Sequence, residues 1–208
     1  AYQNAGYARR YAELVERVRR VEAQRCPGKG TLAETVARTL HRLMAYKDEY
    51  EVARLSLDPT FEARVEAEFG AGARVAYQLH PPALRALGLD RKLSLGPWFK
   101  PAFRALRAMR HLRHTPLDPF GRMEVRRVER ELVVGYAHLV EEILASLEPA
   151  THDRAVRLAG LADMVKGFEG IKLESVERYR ARLAELRDEA DVVSDEDRSI
   201  VAAAFGGR

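Results

Sequence analysis

Cysteine is almost absent from this chain of 208 residues, where Cys26 is the only one. One thiol excludes an internal disulfide, and by itself it cannot hold an iron–sulfur cluster or a tetrahedral zinc ion. Cys26 precedes Pro27 at a helix end with no histidine beside it, so the sequence does not single it out as a nucleophile. Also missing is any apolar run approaching the roughly 20 residues that a membrane span requires. No apolar segment follows a basic start, so secretion is not indicated. A reducing cytoplasm is the compartment these absences fit. The chain has no internal repeat, no low-complexity block and no Gly/Ser linker long enough to divide it, so residues 1–208 read as a single domain. Catalytic signatures are lacking too: there is no Gly-x-Ser-x-Gly elbow, no His-Glu-x-x-His, no phosphate loop and no dinucleotide fingerprint. Gly28-Lys29-Gly30 is a turn, far from a Walker pattern.

What is present is apolar content of 47% with 32% charged residues, the balance of a globular protein, and a net charge of +4. That charge allows anionic partners without demanding them. The chain opens at Ala1-Tyr2-Gln3 without methionine and runs straight into a helical pattern, as a piece excised from a longer protein would.

Helical periodicity dominates. Tyr7, Tyr11, Leu14, Val18 and Val21 predict a first helix that ends at Pro27-Gly28. Thr31 with Glu34 is a capping-box spacing, predicting a second helix from Thr31 to about Leu55. In that continuous helix Val36, Leu40, Leu43 and Tyr50 share a face with Lys47 and Arg54, which places two cations where core residues are expected and makes Lys47, Glu51 and Arg54 a structural polar network. Asp58-Pro59 opens a short helix that stops at Gly70 or Gly72. The period then changes to two, with Val75, Tyr77 and Leu79 in one short strand and Leu93 and Leu95 in another. Further helices are predicted from Pro101 to Arg113, from Asp118-Pro119 to Glu148, after the cap Thr151 as far as Gly167, and around Val176, Tyr179, Leu183 and Leu186. The tail from Asp188 carries only a weak apolar patch at Ile200, Val201 and Phe205. The fold class is therefore all-α, about seven helices around a long central helix, with a minor two-stranded β insertion.

Among candidate sites, His111 and His114 share a helix face but lie among arginines, which repel a metal ion, and no companion carboxylate is spaced to complete a ligand set. The remaining histidines, His152 among them, are scattered singly. The most defensible chemistry is anion binding. Arg104, Arg107, Arg110 and Arg113, followed by Arg126, Arg127 and Arg130, place guanidinium forks along two consecutive helices, and such forks suit phosphates. Taken alone, this ladder also fits a free-standing basic helical domain that binds nucleic acid. Interleaved aromatic residues, which single-strand binding would use, are sparse beyond Trp98, Phe99 and Phe103, so nucleic acid is the weaker partner. Those three aromatic residues are expected to be buried at a helical corner.

Several segments in order resemble one family. They are Leu43 to Leu55 with Tyr46, Lys47, Asp48, Tyr50 and Glu51; His80-Pro81-Pro82-Ala83-Leu84; Gly96-Pro97-Trp98 with Phe103; Asp118-Pro119-Phe120-Gly121 with Glu124, Arg126, Arg127 and Glu129-Arg130-Glu131-Leu132; and Lys166-Gly167-Phe168-Glu169-Gly170-Ile171-Lys172. Together they resemble the C-terminal domain of unknown function of bacterial indolepyruvate ferredoxin oxidoreductases, in the 2-oxoacid:acceptor oxidoreductases. The resemblance implies a parent enzyme that oxidatively decarboxylates aryl 2-oxoacids to acyl-CoA with thiamine diphosphate, iron–sulfur clusters, CoA and ferredoxin. It assigns this domain no cofactor and no catalytic residue. Its implied partners are other domains or subunits of the parent, and ferredoxin. The family pattern usually has glycine where Glu169 stands.

Overall fold

The computed structural model of the chain describes residues 2–70, 72–79, 93–113, 115–168 and 170–187. The fold is all-α with a minor two-stranded antiparallel sheet, the class that the periodicity predicts. In chain order the elements are α1 (Ala5–Arg25), α2 (Thr31–Met44), α3 (Glu49–Ser56), α4 (Pro59–Phe69), β1 (Tyr77–Leu79), β2 (Leu93–Leu95), α5 (Lys100–Met109), α6 (Glu124–Ala145), α7 (His152–Gly160) and α8 (170–187). Among the described residues no helix is long and apolar enough to cross a membrane. The predicted segment His80 to Leu84 and the tail from Asp188 lie outside the described residues.

These residues group into two compact units. The helical unit takes the described residues of 4–46 and 123–208, and the mixed unit those of 1–3 and 47–122. In the helical unit, α6 carries the largest apolar stripe: Val128, Leu132, Tyr136, Leu139, Val140 and Ile143 recur at helical spacing and are all buried. They pack with Val18 of α1, Leu32, Val36 and Leu40 of α2, Ala159 of α7 and Val176 and Tyr179 of α8. Fully burying each such aliphatic side chain contributes about 1.5–3 kcal/mol, which is what holds the bundle together. Cys26 is buried in this core as a free thiol.

In the mixed unit a smaller core forms from Ala53 of α3, Tyr77 of β1, Leu95 of β2 and Phe103 of α5. The strands pair antiparallel with Tyr77 opposite Leu95, so both core side chains fall on one face of the ribbon. Phe99 and Phe103 meet edge to face at 5.0 Å, and Phe103 meets Tyr77 at 4.9 Å. Asp58 caps α4 as expected, accepting from Thr60 N at 3.0 Å, and Gly70 ends that helix with φ of 87°.

Four expectations are corrected. The helix from Thr31 to Leu55 is two helices: α2 ends at Met44, and Asp48 starts α3 by accepting from Glu51 N at 2.8 Å. An aspartate with glutamate three residues later is itself a cap signal, and here it outweighs the apolar periodicity that runs through it. Second, Thr31 is the first helical residue of α2 and not its cap; Gly30 stands there and offers no side chain. Third, Asp118-Pro119 does not open the long helix, which begins at Glu124. The Asp118 carboxylate turns back to accept from Phe120 N at 3.1 Å, an Asx-type turn that competes with a helix start. Fourth, Trp98 is 71% exposed; only Phe103 of the three aromatic residues is fully buried, and Phe99 is half-buried.

Gly167 follows a short 3₁₀ turn at Leu161–Met164 and adopts φ of 96°. A Cβ there would stand 2.7 Å from Ile171 Cγ2, so Gly167→Ala is expected to cost about 1–3 kcal/mol. A thermal melt of the variant checks this, and an unchanged midpoint would contradict it.

Candidate functional site

Three polar clusters and one basic face stand out. In the mixed unit, the break between α2 and α3 frees Asp48 for two tasks. While it caps α3, its carboxylate receives a two-pronged bond from Arg113, with Nε to Oδ2 at 2.6 Å and Nη2 to Oδ1 at 2.7 Å. The side chains are 2% and 4% exposed. Arg113 also donates to Tyr2 O at 3.1 Å and lies over the rings of Tyr2 and Tyr50, at 4.6 and 5.5 Å. Tyr50 in turn donates to Asp118 Oδ1 at 2.9 Å and meets Phe120 edge to face. Burial, and then the bond to the Asp118 carboxylate, push the Tyr50 hydroxyl well above the usual tyrosine range. Arg113, expected on the surface ladder, is therefore a buried structural cation.

The expected polar network at Lys47, Glu51 and Arg54 is only partly brought together. The helix break leaves Lys47 exposed. Glu51 and Arg54 form a two-pronged pair at 2.9 and 2.7 Å, and that hydrogen bond raises the Arg54 guanidinium above its ordinary value.

In the helical unit, Glu129 is buried between two cations, Arg126 one turn earlier on α6 and Lys172 on α8. Both cations also lie over the Tyr46 ring, at 5.7 and 5.9 Å. A small cavity of about 50 Å³ adjoins this triad, lined by Arg42, Leu43, Glu129, Leu132, Ala162, Val165 and Lys172. Glu22 and His152 form the third cluster, each 1% exposed. The Glu22 carboxylate accepts from Leu32 N and Ala33 N, both at 2.9 Å, and from His152 Nε2 at 2.7 Å. It thus supplies from α1 the cap that Gly30 cannot give to α2. The sequence reading missed this pair; its one trace was an acidic residue four positions after Val18, on the apolar face of α1.

The arginine ladder divides between the units. Arg104 and Arg107 are exposed and Arg110 is half-buried on α5 and the 3₁₀ turn that follows it, Arg110–Leu112. With Ala108 and the exposed His111 they line an open surface depression. In the helical unit Arg126 is engaged by Glu129, Arg127 lies 3.7 Å from Glu131, and Arg130 is half-buried. His114 lies outside the described residues, and among the described residues no group of three or more His, Cys, Asp or Glu side chains could hold a metal ion. The buried clusters are closed ion pairs and caps, which stabilise a fold; the α5 face is the arrangement that could take up an anion from solvent.

A family model described as a family of unknown function, DUF6537, matches residues 1–185. The chain belongs to this family. Neither a curated protein nor a solved structure matches it. The match takes in all five of the resembling segments, and three of them supply residues to the polar clusters above: Tyr46, Asp48 and Tyr50; Asp118, Phe120, Arg126 and Glu129; and Lys172.

Proposed function

We propose that this chain is a non-catalytic accessory and assembly domain of an indolepyruvate (aryl 2-oxoacid) ferredoxin oxidoreductase, working in the cytoplasm. On this reading it holds no cofactor, and its partners are other domains or subunits of the parent enzyme. Thiamine diphosphate, iron–sulfur clusters and CoA belong to that parent. The α5 arginines would form a basic surface facing CoA or ferredoxin. The observation that carries the reading is where the resembling segments fall. Their buried carboxylates are spent on internal ion pairs and caps, Asp48 on Arg113 and Glu129 on Arg126 and Lys172, which is the pattern of a scaffold.

The coding context tests it most directly. The reading frame is expected to continue into domains with a thiamine-diphosphate motif and cysteine clusters; a frame that holds neither removes the oxidoreductase assignment. Within the parent enzyme, changing Arg107 and Arg110 to Glu is expected to raise KM for CoA or for ferredoxin. Full activity with both changes would leave assembly as the domain's role. Salt-dependent binding of mixed RNA by the chain would instead favour a nucleic-acid domain.

A further inference from the structure

We propose that the outer face of α5 binds the diphosphate group of a small ligand, with Arg107 at the centre of the site and Arg104 and Arg110 on either side. The proposal rests on the reading above only in taking this face as a contact surface, and it adds the chemical class of what is contacted.

The face is unusual in its charge. From Lys100 to Met109 the helix contains no acidic residue, although Arg104, Arg107 and Arg110 follow one another at intervals of three. Arg107 therefore neighbours a cation on each side, an arrangement in which like charges repel. Two exposed arginines of α1 do meet carboxylates: Arg17 pairs with Glu141 at 2.7 Å, and Arg19 with Glu16 at 2.7 Å. Among the described residues no carboxylate lines the depression at Arg104, Arg107, Ala108, Arg110 and His111. Arg110 also lines the depression, and its buried Nε has no hydrogen-bond partner among the described residues.

The geometry favours two linked phosphates over one. Each guanidinium presents a planar fork matched to a phosphate. Successive arginines are offset by about 4.5 Å along the helix axis, from a rise of 1.5 Å per residue. Two phosphates sharing a bridging oxygen can each meet one fork at that offset, so a diphosphate engages two of the arginines at once. The depression is open, so the remainder of the ligand would extend into solvent.

Calorimetric titration of the whole chain with inorganic pyrophosphate tests the site, with orthophosphate and citrate as comparators. Pyrophosphate is expected to bind at one site, at least tenfold more tightly than orthophosphate. Arg107→Gln and Arg110→Gln should each weaken it about tenfold, while Arg19→Gln on α1 leaves it unchanged. Circular dichroism would establish that the variants keep their helices. Absence of pyrophosphate binding, indifference to Arg107→Gln and Arg110→Gln, or equal binding of citrate would each overturn the proposal; the last would point to a carboxylate-rich protein surface. Pyrophosphate binding by a chain whose reading frame lacks oxidoreductase domains would keep this site and remove the parent assignment. No binding within an oxidoreductase frame would do the reverse.

Discussion

Arg113→Ala is expected to destabilise the mixed unit by about 3–5 kcal/mol, the cost of breaking a buried ion pair by removing one partner. The loss is large because the Asp48 carboxylate, 4% exposed beside Arg113, would lose both guanidinium bonds. Asp48 is also the α3 cap, and the same change removes the guanidinium that lies over the Tyr2 and Tyr50 rings. Asp48→Asn separates these effects, since asparagine is an equally good cap but lacks the charge; most of the destabilisation should remain. Because the chain forms two compact units, hydrogen exchange resolved along the sequence is the suitable readout. Amides of α3 should exchange much faster in the variant, and those of the α6 core should change little. A loss below about 1 kcal/mol, the value of an exposed pair, would mean that this pair is not buried in solution.

The helical unit has its own counterpart in Glu22→Ala, expected to cost about 3–5 kcal/mol. The substitution strands two backbone N–H groups at the start of α2 and a fully buried imidazole. It also removes a negative charge from a helix N-terminus, where the macrodipole favours one. His152→Ala should cost less, because the carboxylate keeps both backbone donors. A double-mutant cycle with the two changes is expected to give a coupling of about 1–3 kcal/mol, measured by urea denaturation followed at helical wavelengths. Additive effects would show that His152 fills space beside Glu22 without depending on it.

How much of this was legible depends on whether the signal was periodic or paired. The stripe from Val128 to Ile143 and the alternation at Tyr77, Leu93 and Leu95 reveal their elements because a helix or strand repeats its buried face at a fixed interval. The α2 to α3 break was less visible. Leu40, Leu43 and Tyr50 keep helical phase across it, so periodicity favoured one helix, while the cap at Asp48 gave the opposite signal. The five-residue displacement of the α6 start arises because Asp118-Pro119 is a valid helix opening locally, but Tyr50, 68 positions away, donates to the Asp118 carboxylate in a turn that Gly121 permits.

The candidate site divides in the same way. That α5 is basic and lacks carboxylates can be read directly from residues 100–110. That Arg113 leaves this surface for Asp48 cannot, because the partners are 65 positions apart and an arginine carries no local mark of burial.

The sequence by itself determined the all-α class, the short strand pair, the bounds of α1 and α4 and the basic character of α5, since each depends on residue spacing or composition within one segment. Only the tertiary structure decided which charges are buried: Glu22 on His152, Asp48 on Arg113, and Glu129 on Arg126 and Lys172. A charge is stable inside a protein only when its partner arrives in the right geometry, and in each cluster a partner comes from a distant segment that folding alone brings near.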